Sequence, residues 1–174
     1  MSEAAVSLNN LPAERRADLL ERCCGSGRWV ESMLRRVPFA DWSAVVAAAD
    51  AIWRELDRED WLEAFSHHPR IGDIDALRAR FASTRTWASG EQSGVDSASE
   101  EVLAGLARGN RHYEKRFGYI FIVCATGKSA PAMLTLLQER LDNSPEEELP
   151  VAAEQQRQIM QLRLGKLRDE LSPA

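Results

Sequence analysis

Apolar side chains return every three or four residues along most of the chain, the spacing that gathers them on one face of an α-helix. Leu19, Leu20, Cys23 and Cys24 form one set, Val30, Met33, Leu34 and Val37 a second, and Val45, Val46, Ala49, Ile52, Trp53 and Leu56 a third. The punctuation agrees with this periodicity. Pro12 stands near a first helix start, Gly25-Ser26-Gly27 can end that helix, Pro38 ends the second, and Asp41 can cap the third. Ser97-Ala98-Ser99-Glu100 fits a capping box ahead of Val102, Leu103, Leu106, Asn110, Tyr113 and Phe117, with Gly118 as the stop. Ser144-Pro145-Glu146-Glu147 opens a further helix in the same way. Pro150 follows closely, so the pattern predicts either one turn and a restart or a distortion before a long helix over 151–171.

Two stretches do not fit regular helices: 67–73, and 84–97, which is rich in Ser, Gly and Thr. Both are candidate functional loops. The run Tyr119-Ile120-Phe121-Ile122-Val123-Cys124-Ala125 is β-prone, yet no partner strand is visible to pair its backbone, so a buried extended segment or a helix start is expected. No internal repeat or low-complexity linker interrupts the chain. The fold class that follows is all-α, a single-domain helical bundle over residues 1–174.

Composition narrows the function classes. A hydrophobic content of 44% in 174 residues supplies one compact core. The 22 basic residues are outnumbered by 27 acidic ones, a net charge of −5, which argues against nucleic acid and anionic membrane surfaces as partners. The apolar run over 119–125 is far shorter than the roughly 20 residues of a membrane span, and no basic-then-apolar leader opens the chain. Leu171-Ser172-Pro173-Ala174 is not a Ser-Lys-Leu peroxisomal address, so the expected location is the cytoplasm. Cys23, Cys24 and Cys124 form no C-x-x-C pair and read as small core residues. The histidines, His67, His68 and His112, form no i, i+4 pair on a recognisable helix, so no metal centre is expected.

Candidate chemistry lies in the two irregular stretches. His68 directly precedes Pro69, which pushes its backbone out of the helical region and can aim the imidazole into a cleft. Its unperturbed pKa near neutrality suits proton transfer. In Trp87-Ala88-Ser89-Gly90-Glu91-Gln92-Ser93-Gly94, Glu91 could act as acid or base and Gln92 could read a urea or amide. Arg163 lies near the apolar residues of the last helix, where its guanidinium could fork onto a carboxylate. Each motif alone also fits an ordinary turn, a solvated loop or a solvated helix face.

Their order carries more. His68-Pro69-Arg70-Ile71-Gly72, then Glu91-Gln92-x-Gly94, then Asn110-x-x-Tyr113-x-x-x-Phe117-Gly118 resembles the 2-oxo-4-hydroxy-4-carboxy-5-ureidoimidazoline (OHCU) decarboxylase family. The likeness continues through Phe121-Ile122-Val123-Cys124-Ala125-x-Gly127, Arg140-Leu141-x-Asn143, Glu148-Leu149 and Ile159-x-x-Leu162-Arg163-Leu164. It implies an all-helical homodimer that uses no cofactor. Its substrate would be the product of 5-hydroxyisourate hydrolase, fed in turn by a urate-oxidising enzyme, and its products CO2 and (S)-allantoin. By the same likeness His68 is the catalytic proton donor, with Glu91 as its catalytic companion. Pro69, the loop Ala88-Ser89-Gly90-Glu91-Gln92 and the segment Phe121, Ile122, Val123, Cys124 and Ala125 line the substrate site, with Arg163 carried over as a further contact. Ala88 departs from the Ser that family members often place three residues before the Glu, with Ser89 beside it.

The chemistry suits these groups. Loss of CO2 leaves an electron pair that a C=N or C=O within the substrate can accept, so the protein must only orient and protonate. That expectation requires His68, Glu91 and Gln92 to line one pocket. A non-catalytic helical interaction module is the rival from another class and predicts no pocket near His68. A different cofactor-free lyase or hydrolase of ureido or amide compounds would use the same groups.

Overall fold

The computed structural model describes residues 3–70, 74–85 and 95–172. Among them are nine α-helices and no strand, as the periodicity requires: α1 (Glu3–Asn10), α2 (Ala13–Cys23), α3 (Gly27–Leu34), α4 (Trp42–Glu55), α5 (Arg58–Ser66), α6 (Ile74–Arg85), α7 (Val95–Phe117), α8 (Ala130–Leu141) and α9 (Pro145–Leu171). Two compact units divide the chain, one made of Met1–His68 and Ala153–Ala174, the other of Pro69–Ala152. α9 contributes residues to both.

In the first unit, α3 packs against α2, α4 and α5. Trp29 of α3 is wholly buried, and its indole N–H donates to the Ala49 carbonyl of α4 at 3.1 Å, so this large side chain enters the core without an unmet donor. Trp53 of α4 does the same with the Ala153 carbonyl of α9 at 3.2 Å. α1 precedes the first helix marked by apolar spacing, and its buried face is only Ala4, Ala5 and Leu8. Gly25-Ser26-Gly27 does more than end α2. The Ser26 hydroxyl accepts from the Trp29 amide at 3.3 Å and so caps α3. α3 stops at Leu34, before Val37 and Pro38. Asp41 caps α4 through the Ala44 amide at 2.9 Å, as its position predicts. α5 opens with a reciprocal box between Asp57 and Asp60.

The second unit is built on the pairing of α7 with α8 and of α6 with α7. Gly105 and Gly109 lie one turn apart on α7 and let α8 approach closely: a Cβ at Gly109 would sit 2.5 Å from Leu137 Cδ2, and one at Gly105 3.1 Å from Leu134 Cδ2. Leu137 is fully buried and has nowhere to swing. Gly109→Ala is therefore expected to destabilise by about 1–3 kcal/mol from overpacking, outweighing the helix propensity of alanine, and Gly105→Ala by less. Urea unfolding of the two variants measures the difference.

α7 begins at Val95, so the cap expected at Ser97 lies inside the helix. A capping-box sequence marks a favourable start but does not stop preceding residues from joining. α9 runs through Pro150 as one helix instead of restarting. The proline removes the amide that the Glu146 carbonyl would accept from, but both residues are exposed and water can replace that donor. Gly118 stops α7 at φ +82, in the left-handed region open to glycine. No described helix is long and apolar enough to cross a membrane.

Candidate functional site

α5 ends at Ser66, His67 takes its C-cap position, and the His68 amide closes a turn onto the Phe65 carbonyl at 3.1 Å. Pro69 then prevents the helix from resuming. The His67 ring lies directly over Gly25, where an added Cβ would come within 2.4 Å of its Cγ; only glycine fits beneath it. His68 is half-buried, and its Nε2 pairs with Oε1 of Gln156, a fully buried residue of α9.

Arg163 is also on α9, half-buried, with Nη1 donating to the Arg22 carbonyl at 3.3 Å. Among the described residues no carboxylate forms an ion pair with it, whereas neighbouring Arg22 is bound to Glu170 at 3.0 Å. A guanidinium with no described carboxylate partner can take a bidentate carboxylate. It opens on a groove of about 620 Å³ whose lining includes His67, Cys23, Arg22 and Lys166 but not His68. Burial pushes the Cys23 thiol up to about 11 and that of Cys24 to about 12, so neither is a thiolate nucleophile at neutral pH.

In the second unit the run Phe121-Ile122-Val123-Cys124-Ala125 is neither helix nor strand. It does not start a helix; Ile122 and Cys124 are buried and their neighbours half-buried, with a turn at Gly127 (φ +74) before α8. Its shape is held from one side. Arg140 of α8 donates to the Ile122 carbonyl at 2.6 Å, Lys128 Nζ to the Cys124 carbonyl at 2.8 Å, and the Lys128 amide to the Ala125 carbonyl at 3.0 Å. The amides of Phe121, Ile122 and Val123 donate to no described residue. Backbone amides with no described partner in a protected segment are ready to meet a ligand.

Arg140 belongs to a buried network that explains several spaced motifs at once. Its Nε reaches Glu148 Oε1 at 2.8 Å, the Tyr113 hydroxyl donates to the same oxygen, and Asn143 Nδ2 donates to Glu148 Oε2 at 2.8 Å. The guanidinium also stacks 4.5 Å from the centre of the Phe121 ring, which meets Tyr113 edge-on at 5.2 Å. Burial raises the Tyr113 phenol above its ordinary range, against the lowering influence of Arg140, so it stays a donor. Pro69 is exposed and Arg70 beside it pairs with Glu114 of α7.

Ala88, Ser89, Gly90, Glu91 and Gln92 lie outside the described residues, as does the 71–73 end of the His68 motif. Of the remaining expected residues, His68 and Arg163 belong to the first unit, and Pro69 and the 121–125 segment to the second. Sequence reasoning missed Gln156, which only its spacing from Ala153 and Met160 on α9 could have marked as inward. No cluster of metal-ligating side chains occurs among the described residues.

The described residues define an all-helical class whose chemistry-bearing parts are, in the first unit, an imidazole at a helix end and a guanidinium with no described carboxylate partner, and, in the second unit, a tethered irregular segment. The family model described as OHCU decarboxylase matches residues 9–165. The chain belongs to the OHCU decarboxylase family. It is 37% identical over 145 residues to the uric acid degradation bifunctional protein TTL of Arabidopsis thaliana, covering 83% of this chain and 45% of that one. It is 33% identical over 99 residues to a 2-oxo-4-hydroxy-4-carboxy-5-ureidoimidazoline decarboxylase of Amia calva, covering 56% and 55%. It thus spans about half the length of these curated relatives. Among solved structures, an OHCU decarboxylase crystallised in the presence of (S)-allantoin superposes with a TM-score of 0.67 at 34% identity, over 86% of this chain and 96% of that one.

Proposed function

We propose that this chain decarboxylates 2-oxo-4-hydroxy-4-carboxy-5-ureidoimidazoline to (S)-allantoin within urate degradation. The observation that carries this reading is the likeness, over 86% of this chain, to an OHCU decarboxylase crystallised in the presence of (S)-allantoin. The C–CO2 bond breaks, its electron pair passes into the adjacent unsaturated system of the substrate, and a proton from His68 completes the carbon from one face. One-sided delivery gives one enantiomer. Arg163 holds the substrate carboxylate, and the Phe121, Ile122 and Val123 amides offer donors to carbonyl edges. Glu91 manages the hydroxyl proton and Gln92 holds the ureido arm.

The test is to combine the protein with a urate oxidase and a 5-hydroxyisourate hydrolase and follow optical activity. Enantiomerically enriched (S)-allantoin formed faster than the spontaneous decay supports the reading; racemic product at the background rate overturns it. Arg163→Met is expected to lower kcat/KM roughly 10- to 100-fold, the loss of a charge-assisted contact worth about 1.5–3 kcal/mol, without changing thermal stability. A variant with parent kcat/KM shows that the carboxylate is held elsewhere.

A further inference from the structure

We propose that Gln156 is a positioning residue that decides which nitrogen of His68 exchanges protons, an inference that rests on the role given to His68 above. Along α9 the inward face within the first unit is Ala153, Gln156, Met160, Leu164 and Leu167, all buried. Gln156 is the polar exception. Its Oε1 faces His68 Nε2, and an amide oxygen can only accept, so the neutral imidazole carries its hydrogen on Nε2 and keeps its lone pair on Nδ1. The backbone of His68 is already fixed by the turn onto Phe65 and by Pro69, which leaves ring rotation and tautomer as its remaining freedoms. The hydrogen bond that Nε2–H donates to Gln156 Oε1 constrains both.

The other end of the same amide strengthens the argument. Gln156 Nε2 is buried and meets no hydrogen-bond partner among the described residues. An unmet buried amide is unfavourable, and a leucine or methionine would fill this face without it. A fully buried glutamine at this position is thus poorly explained by stability and well explained by its grip on the imidazole. His68 then takes and returns protons through Nδ1.

The test reads tautomer and turnover in the full chain. Imidazole ¹⁵N NMR, with His68 assigned by its loss in His68→Asn, is expected to show Nε2–H in the parent. Gln156→Leu is expected to stay folded, to give a mixture of tautomers and to lose roughly 10- to 100-fold in kcat, the range typical of groups that orient a functional histidine, with little change in KM. Gln156→Glu, which keeps an acceptor oxygen at the same reach, recovers Nε2–H and most of the turnover. Nδ1–H in the parent overturns the proposal, as does parent kcat in Gln156→Leu or a loss that Gln156→Glu does not recover. If Gln156→Leu fails to fold, the parent spectrum and Gln156→Glu decide alone. Because the spectra need no substrate, they still judge the hold on the ring if His68→Asn proves fully active and the catalytic role of His68 falls.

Discussion

His68→Asn is expected to remain folded and to lose roughly 10²- to 10⁴-fold in the catalysed formation of (S)-allantoin, the range a positioned general acid or base contributes. Asparagine keeps a polar group in the turn before Pro69 but cannot exchange a proton near neutral pH. The substrate decays by itself to racemic product, so enantiomeric excess is the better readout than substrate loss. His67→Asn is the necessary companion. Its ring packs over Gly25 and lines the groove beside Arg163, so it is the natural rival for the imidazole role. Its replacement should alter stability while turnover stays within a small factor of the parent. If His67→Asn abolishes enantioselectivity and His68→Asn does not, the proton donor is His67.

Glu148→Gln carries the largest expected loss of stability, about 3–5 kcal/mol, because it strips the counter-charge from a buried guanidinium while leaving the guanidinium in place. Glu148 is completely buried and Arg140 nearly so, so water cannot stand in for the missing charge. For a chain of this size the melting temperature should fall by roughly 10 °C. Replacing both residues, Arg140→Met with Glu148→Leu, should cost much less than the single change, since buried ion pairs are often matched by apolar groups of similar volume. The double variant also releases the Ile122 carbonyl from Arg140, so it should fold and yet turn over poorly. A double variant as unstable as Glu148→Gln would show that the Tyr113 and Asn143 contacts, not the charge pair, carry the network.

Much of the helical frame was legible because caps and stripes are local. Asp41, Ser144 and Gly118 act where their spacing places them. α1 was not legible, since three small or medium apolar residues make no stripe, and the start of α7 was misplaced because a good cap sequence can be absorbed into a longer helix. The Arg140, Glu148, Tyr113 and Asn143 motifs were visible as spacings, but their meaning was not. They converge through tertiary pairing between separate helices, which periodicity does not encode. Gln156 was hidden differently: it sits in Glu154-Gln155-Gln156-Arg157-Gln158, a run that reads as a solvated face, and only the burial of Ala153, Met160 and Leu164 around it turns it inward.

The division of the chain into units sets an order on its synthesis. Residues 69–152 are contiguous and can close their contacts as they leave the ribosome, whereas the other unit joins residues 1–68 to 153–174. The indole of Trp53 waits 100 residues for the Ala153 carbonyl, and Arg157 reaches back 107 residues to Asp50. At translation rates of about 5–20 residues per second that interval is on the order of 5–20 s. Throughout it, the positions on α2 and α4 that α9 will meet, Trp53 and Asp50 among them, stay uncovered, and during those seconds a nascent-chain chaperone has its best claim on this protein.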